Sequence, residues 1–208
     1  LRVTCHKKIL LVLNQLRFLG LLVLSTSTLF AQQWIAQNAQ WHYDWSGPSS
    51  GGFIEINYTS DTLINGQLCQ KLEPIRHSFG TNQAQLLEYY GALPLGAEYT
   101  YSKGDTVFWW VNNSFHVLYN FAATVNDIWN LGIDTNGFGC STSIINVDSV
   151  GTTTINNRNL NWQYLRPDSM ASHGFTGRAI AGIGQLDDYL FPHLRSCDTN
   201  VNFDRPFY

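Results

Sequence analysis

The sequence has few charged residues and a single methionine, Met170. Asp, Glu, Lys and Arg make up 13% of its 208 residues, whereas about a quarter of an average soluble domain is charged. Hydrophobic residues account for 44% and aromatic ones for 14%, which is ample for a packed core and excludes a disordered chain. From residue 32 onward, 8 basic residues face 15 acidic ones, a net charge of −7. A nucleic-acid partner is therefore excluded, because it would require a basic surface.

The chain also lacks an apolar run of the roughly 20 residues that span a bilayer. The short run "FLGLLVL" (18–24) follows four basic residues and no acid, and precedes the small residue Ala31. This order is typical of a secretory signal peptide. We therefore predict a signal peptide over residues 1–31, a protein that is secreted or held at the outer cell surface, and no transmembrane helix in the mature chain.

Cysteines are scarce, and no Cys-x-x-Cys pair occurs among the four, which excludes a common zinc-binding pattern. Cys5 would leave with the signal peptide, so an odd number remains. We predict that Cys140 pairs with Cys197 and that Cys69 is buried in a strand. The alternative is that Cys197 bonds a cysteine beyond Tyr208.

Long helical patterns are missing as well. From Trp41 onward, short alternating segments are separated by Gly, Asn, Asp and Ser, with turns expected at residues 65–66, 102–105, 112–114, 151 and 156–159. The pattern predicts an all-β fold, an antiparallel meander that forms a barrel, a half-barrel or a two-sheet sandwich. Only residues 82–90 have some helical character. Residues 32–208 are expected to form a single β domain, truncated at its C-terminal end because the chain stops without a closing turn or tail.

Several strand-and-turn segments resemble a group of exported Bacteroidota proteins that often carry a C-terminal sorting domain for type IX secretion. The resembling segments are "SDTLINGQLCQKL" (60–72), "GDTVFWW" (104–110), "FHVLYNF" (115–121), "VNDIW" (125–129), "INVDSVGTTTINN" (145–157) and "GIGQLDDYLFP" (182–192). Asn120 and Asn126 depart from the group's pattern, where Asp and Gly are expected. The sorting domain itself is not in this chain. The resemblance implies an extracellular location and no particular activity.

The resemblance also implies O-glycosylation, because such proteins use Asp-Ser/Thr-apolar triplets as acceptor signals. Four such triplets occur, and their acceptors would be Thr62, Thr106, Ser149 and Ser169. Asp-Thr is equally ordinary turn chemistry, so both interpretations stay open.

Weak metal and catalytic patterns are present. His42 and Asp44 share one face of a strand, but no third ligand is identifiable. Residues 134–139 ("DTNGFG") resemble the start of a calcium loop, yet Ile145 stands where the bidentate Glu belongs. Asp168, Ser169 and His173 supply triad residue types without a nucleophile elbow. We therefore predict no metal, no cofactor and no catalytic residue here.

Acidic residues leave one enzymatic alternative open. A glycosidase needs two carboxylates facing each other across a cleft. The candidates are Glu55, Glu88, Glu98 and the adjacent pair Asp187 and Asp188. The side chains of adjacent residues point in opposite directions along an extended chain. Asp187 and Asp188 are therefore the weaker candidates for a catalytic pair.

Tryptophan is the most suggestive residue type, with seven in the chain. Exposed Trp and Tyr form stacking platforms in sugar-binding modules, although most tryptophans are buried. We consider Trp41, Trp45 and Trp110 as platform residues. In the strand "VFWWV" we expect Trp109 to face the core with Val107 and Val111, and Trp110 to share the opposite face with Phe108.

The strand that follows, "FHVLYNF", is apolar on both faces: Phe115, Val117 and Tyr119 are expected on one side and Leu118 on the other. The resulting hairpin therefore needs a cover, for which the glycine-rich residues 173–192 are the candidate.

The composition favours a non-enzymatic exported β domain that binds a glycan or a protein partner at the cell surface. A secreted hydrolase with paired carboxylates is the first alternative. A lipocalin-like carrier, which holds an apolar ligand inside a barrel, is the second.

Overall fold

The structure, a computed structural model, describes residues 34–47, 50–82, 84–135, 139–194 and residue 197. The predicted signal peptide, Cys5 and the chain end at Tyr208 lie outside these described residues. Every regular element in the described part is a β-strand, so the predicted all-β class is confirmed. Within the same part, no helix is long and apolar enough to cross a lipid bilayer.

Seven strands form a large antiparallel sheet in the order β1-β2-β3-β5-β6-β7, and β4 pairs with β3 beside β5. Because the described strands do not close on themselves, a closed barrel, one of the predicted alternatives, is not formed. The strands are β1 (Gln40–Ser46), β2 (Ser50–Ile64), β3 (Gln67–Thr81), β4 (Leu87–Pro94), β5 (Glu98–Lys103), β6 (Thr106–Val111) and β7 (Ser114–Asn120).

Five further strands form a second antiparallel sheet in the order β12-β11-β10-β9-β8. They are β8 (Ile128–Asn130), β9 (Ile144–Ile155), β10 (Arg158–Pro167), β11 (Gly177–Ile180) and β12 (Gly184–Gln185). One cluster of buried side chains joins both sheets, with Ile56 and Leu72 from the large sheet and Leu165 and Ala179 from the small one. The molecule is therefore built as two sheets around a shared core.

Asparagine pairs and Asn-Gly make the tight hairpins. Asn65 and Gly66 connect β2 to β3, and both have positive φ. Residues 112–113 connect β6 to β7 and residues 156–157 connect β9 to β10, again with positive φ at each asparagine. Two positive φ values in a two-residue loop match the twist of antiparallel strands. These predicted turns are confirmed.

Two local predictions are wrong. Helical character is predicted for residues 82–90, but residues 87–90 belong to β4, which pairs with β3. A turn is predicted at Gly151, but β9 continues through it opposite Trp162. A Cβ at position 151 would lie 2.7 Å from the Trp162 ring. The glycine therefore makes room for an indole that packs across the strand pair.

The glycine-rich segment 173–192 covers the core-facing side of the large sheet. Trp41 Nε1 donates to the Ile183 carbonyl at 2.7 Å, and the Tyr43 hydroxyl donates to the Gln185 carbonyl at 3.0 Å. Phe191 packs on Trp109, with ring centroids 5.8 Å apart. The segment thus lies on the Trp109 side of the β6–β7 hairpin and not over Trp110.

A β-bulge changes the expected faces of β7. The pairing with β6 shifts between Val107 and Phe108, so Leu118 and its neighbour Tyr119 are both fully buried in the core. Strict alternation would have placed these two side chains on opposite faces. The prediction that Tyr119 shares a face with Phe115 is therefore wrong.

Cys140 and Cys197 form a disulfide, as the sequence predicted, with Cα atoms 5.0 Å apart. Cys69 is free and buried in β3. The bond closes a loop of 57 residues and so limits the conformations of the unfolded chain.

We expect the double variant Cys140→Ser/Cys197→Ser to lose about 2–4 kcal/mol of unfolding free energy, because a loop of this length opens. Urea denaturation followed by tryptophan fluorescence measures the loss. Reduction of the wild type should produce the same loss and leave the double variant unchanged. An unaltered midpoint in both experiments would contradict the prediction.

Candidate binding surface

The large sheet presents one face that the core does not cover. In β1, Trp41, Tyr43 and Trp45 pack against the core, while the alternate side chains His42 and Asp44 are exposed. Residues directly opposite each other in an antiparallel pair share a face. The outer face therefore continues from β1 through the cross-strand neighbours of His42.

A cluster on this face, here termed the histidine patch, combines aromatic rings with polar groups. His42 lies opposite Glu55, Phe53 opposite His77, and Phe79 opposite Tyr89. Phe53 stacks on His77 with centroids 4.5 Å apart and an interplanar angle of 16°. His77 Nδ1 lies 3.0 Å from the Tyr89 hydroxyl. The histidine patch consists of His42, Phe53, Glu55, His77, Phe79 and Tyr89.

Glu55 lies at the centre of the polar part of the patch. Its Oε1 accepts hydrogen bonds from Asn57 Nδ2 at 2.5 Å and from Gln40 Nε2 at 2.8 Å. Its Oε2 lies 3.6 Å from His77 Nε2 and 3.9 Å from His42 Nε2. The hydrogen bond from Asn57, followed by that from Gln40, lowers the pKa of Glu55, so the patch keeps a carboxylate in neutral solution.

A second aromatic cluster lies on the same face near the other end of β3. Tyr101 stacks on Phe108 with centroids 4.7 Å apart, and Phe115 contacts both Tyr101 and Trp110 at 4.8 Å. These four half-buried residues are termed the tryptophan patch. Burial raises the pKa of Tyr101. Thr100 of β5 pairs with Gln70 of β3, so Tyr101 lies beside Cys69. Cys69 precedes His77 by eight residues, and the two patches are therefore about 27 Å apart along β3.

The three tryptophans considered as platform residues do not share one surface. Trp41 stacks on Trp34, with centroids 6.5 Å apart, and points toward the core. Trp45 also lies on the core side, where the Arg76 guanidinium lies 5.4 Å from its ring centroid. Of the three, Trp110 alone lies on the outer face. The chain itself therefore occupies the ring faces that Trp41 and Trp45 would offer a ligand.

Among the carboxyl groups of the described residues, Glu98 has the pKa that departs most from its ordinary value. It lies on the core side of β5, partly buried, and accepts a hydrogen bond from Trp109 Nε1 at 2.6 Å. Burial raises its pKa to about 7, and the indole hydrogen bond opposes part of that effect. Burial, and after it the nearby Glu98, raises the pKa of Tyr189, which contacts Tyr43. Burial, and after it the nearby Asp188, raises the pKa of Tyr43. Two carboxyl groups thus flank a tyrosine pair inside the fold.

The remaining acidic candidates have structural contacts. Asp187 accepts from the Arg178 backbone N–H at 2.8 Å, whereas Asp188 caps the Tyr189 N–H and lies 3.9 Å from His193. The adjacent pair therefore points to different partners. Glu88 belongs to the exposed strand β4.

The triad residue types perform local roles. Asp168 accepts from the Met170 N–H at 3.0 Å, as in an ordinary turn. His173 is fully buried and accepts from the Phe175 N–H through Nδ1. Ser169 is exposed.

Metal ligands do not cluster in the described part of the chain, where no group of three or more His, Cys, Asp or Glu side chains could hold an ion. His42 and Asp44 do share a face of β1, as predicted. Residues 136–138 of the calcium-like loop lie outside the described residues.

The predicted acceptors of O-glycosylation lie in different settings. Ser169 is exposed, and Thr62, Thr106 and Ser149 are half-buried within strands. Thr106 also donates to Asn120 Oδ1. Their modification stays a prediction.

Sequence reasoning did not single out Phe53, His77 or Tyr89. A signal was present in "FIEINY", where Phe53 and Glu55 alternate with the buried Ile54 and Ile56. The partner strand could not be aligned from the sequence alone.

Comparisons with models of protein families, with curated proteins and with solved structures found no match to this chain.

Proposed function

We propose that this chain is an exported, non-enzymatic binding module that takes a neutral glycan on the histidine patch. The observation that supports the proposal is the combination of stacked rings and a hydrogen-bonded carboxylate on a face away from the core. Tyr89 is 50% exposed and Phe53, His77 and Phe79 are half-buried, so a ligand can reach their rings.

Sugars are bound by two complementary chemistries. Their C–H faces stack on aromatic rings, and their hydroxyls exchange hydrogen bonds with planar polar groups. The patch offers both, because Phe53 and Tyr89 adjoin the network of Glu55, Gln40 and Asn57. The carboxylate of Glu55 would repel an acidic glycan, which is why the proposal specifies a neutral one.

Export is part of the proposal. The Cys140–Cys197 disulfide supports it, since such bonds persist in oxidising compartments outside the cytoplasm. The resemblance to exported Bacteroidota proteins agrees with the same location, and delivery by type IX secretion is included in the proposal for a longer chain that carries a sorting domain.

The two alternatives have less support. A carrier needs an open interior, whereas the space inside the described fold holds the fully buried side chains of Tyr119, Phe175 and Phe191. A hydrolase needs carboxylates around an accessible cleft, whereas Glu98 is engaged by Trp109 inside the fold.

Affinity electrophoresis in gels that contain soluble polysaccharides tests the proposal. We expect retardation by at least one neutral polysaccharide and none by alginate, an acidic one. Tyr89→Ala should weaken binding about threefold to tenfold, because one aromatic contact is lost. Glu55→Gln should weaken the same interaction by removing the charged acceptor.

Trp110→Ala is the matched control, since it removes an aromatic side chain from the same face about 27 Å away. Retention by no polysaccharide would contradict the proposal. Loss of binding in Trp110→Ala with full binding in Tyr89→Ala would show that the tryptophan patch is the site instead.

A further inference from the structure

Glu55 keeps one oxygen open to a ligand in the histidine patch. An ionised carboxylate accepts about four hydrogen bonds, two at each oxygen. Asn57 and Gln40 fill both positions at Oε1. The Nε2 atoms of His77 and His42 approach Oε2 to 3.6 Å and 3.9 Å, which is too long for a hydrogen bond. In neutral solution, Oε2 is therefore the acceptor that a sugar hydroxyl can use.

One phenyl ring holds both imidazoles beside this oxygen. Phe53 stacks on His77, and its centroid lies 5.6 Å from that of the His42 ring. His77 Nδ1 lies 3.0 Å from the Tyr89 hydroxyl, while its Nε2 faces Glu55. Within the described residues, this buried Nε2 has no hydrogen-bond partner. Both nitrogens of a protonated imidazole are donors, so a protonated His77 can donate to Tyr89 and Glu55 at once.

The imidazoles and the carboxyl group change charge in different pH ranges. An unperturbed histidine gains its proton at about pH 6.5. Hydrogen bonding, first of all from Asn57, lowers the pKa of Glu55, so the carboxylate persists in mild acid. A hydrogen bond between two charged groups is about 2.7–2.9 Å long. A movement of about 1 Å would therefore bring each protonated Nε2 into hydrogen-bond contact with Oε2.

Three further charged side chains lie on this face of the sheet. Asp44 shares the exposed face of β1 with His42, and a nearby negative charge favours an imidazolium. Glu73, opposite Asn57, forms an ion pair with Lys71, so the two charges largely cancel. The surroundings of the imidazoles therefore favour their protonated form.

We propose that mild acid closes the histidine patch: the protonated side chains of His42 and His77 donate to Glu55 Oε2, occupy its free acceptor positions and release the glycan. His77 contributes more to this closure than His42, because their side chains are 20% and 52% exposed and water weakens an exposed ion pair. The release rests on the proposed function. The pairing of the imidazoles with Glu55 does not.

Isothermal titration calorimetry with dextran, galactomannan and xyloglucan, at pH 7.5 and at pH 5.5, tests the release. The wild type should bind at least one of these neutral polysaccharides about tenfold more weakly at pH 5.5, because a hydrogen bond to a charged acceptor is lost. In His42→Gln/His77→Gln the affinities at the two pH values should be equal, whatever their absolute size. His77→Gln alone should lose most of the pH dependence.

His116→Gln is the matched control, because it makes the same change in β7 and should keep the pH dependence of the wild type. Equal affinity of the wild type at both pH values overturns the release. A tenfold loss at pH 5.5 that persists in the double histidine variant also overturns it, since the loss then has another cause.

A double-mutant cycle without any glycan tests the pairing itself. The urea midpoints of the wild type, Glu55→Gln, His77→Gln and the combined variant give the coupling between the two side chains. We expect a coupling at pH 5.5 that almost vanishes at pH 7.5. No coupling at pH 5.5 overturns the pairing. Coupling at pH 5.5, together with no binding of any polysaccharide at pH 7.5, supports the pairing and contradicts the proposed function.

Discussion

Replacement of Trp109 by alanine is expected to lower the free energy of unfolding by about 3–5 kcal/mol. The indole is 6% exposed, packs on Phe191 and donates to Glu98. Its loss leaves a cavity in the core and removes the hydrogen-bond donor of a partly buried carboxyl group. Urea denaturation, followed by circular dichroism so that the signal does not depend on the removed indole, measures the change.

The neighbouring tryptophan provides the control. Trp110 lies on the outer face, half-buried against Phe115, so Trp110→Ala should cost about 1 kcal/mol or less. The same substitution at two adjacent positions would then cause losses of unfolding free energy that differ several-fold. Equal losses in the two variants would mean that the assignment of the two faces is wrong.

Replacement of Glu98 by glutamine is expected to make the protein more stable above pH 7 and to change little at pH 4.5. Burial raises the pKa of Glu98 from 4.5 to about 7 in the folded state. The folded state therefore holds a proton that the unfolded state has released between these values, and stability falls as pH rises through this window. Glu98 thus costs up to about 3 kcal/mol at pH 8. The glutamine side chain keeps an oxygen that can accept from Trp109.

This effect is measured by comparing the denaturant midpoints of the wild type and of Glu98→Gln from pH 4.5 to pH 8. The difference between the two midpoints should widen as the pH rises. Glu55→Gln should behave in the opposite way, and its effect should appear below pH 4.5, so the series for this variant extends to lower pH, because hydrogen bonding lowers the pKa of Glu55. Its carboxylate contributes stability that is present above its unfolded pKa and is lost as pH falls through the lower folded one. A constant difference between Glu98→Gln and the wild type would exclude the raised pKa.

Local chemistry made part of the fold predictable. The Asn-Gly and Asn-Asn loops need positive φ, which asparagine and glycine tolerate best, so their hairpins could be placed from the sequence. Alternation in "VFWWV" placed Trp109 on the core side, because side chains point to opposite faces of a strand. The pairing of Cys140 with Cys197 was also predicted correctly.

The register between β2 and β3 could not be predicted from the sequence. The histidine patch depends on this register, because it decides which side chain of β3 lies opposite Phe53. The β2–β3 hairpin pairs Ile64 with Gln67, which would place Phe53 opposite Ser78 if the register stayed constant. A bulge between Tyr58 and Ser60 shifts it by one residue, so that His77 lies opposite Phe53 instead. A one-residue shift moves side chains to the other face, and nothing in the local sequence marks this bulge.

Residues 173–192 were predicted to cover the β6–β7 hairpin, and they do lie on its Trp109 side. The contacts that hold this segment could not be predicted, since they are with side chains far away in the chain. Residues 184–185 form only a two-residue strand, and the segment is held by donors from Trp41, Tyr43 and Tyr119. Such contacts follow from tertiary packing and leave no periodic pattern in the sequence.

These same contacts have a consequence for how the protein folds. Trp41 and Ile183, like Tyr43 and Gln185, are separated by 142 positions. The first strand is synthesised early, yet the segment that covers its core-facing side emerges from the ribosome near the end. Closing so long a loop costs chain entropy before any contact repays it, so we expect this step of folding to be slow. In the interval the aromatic side of β1 remains open to water and to other chains, so β1 is where the nascent protein most needs protection from aggregation.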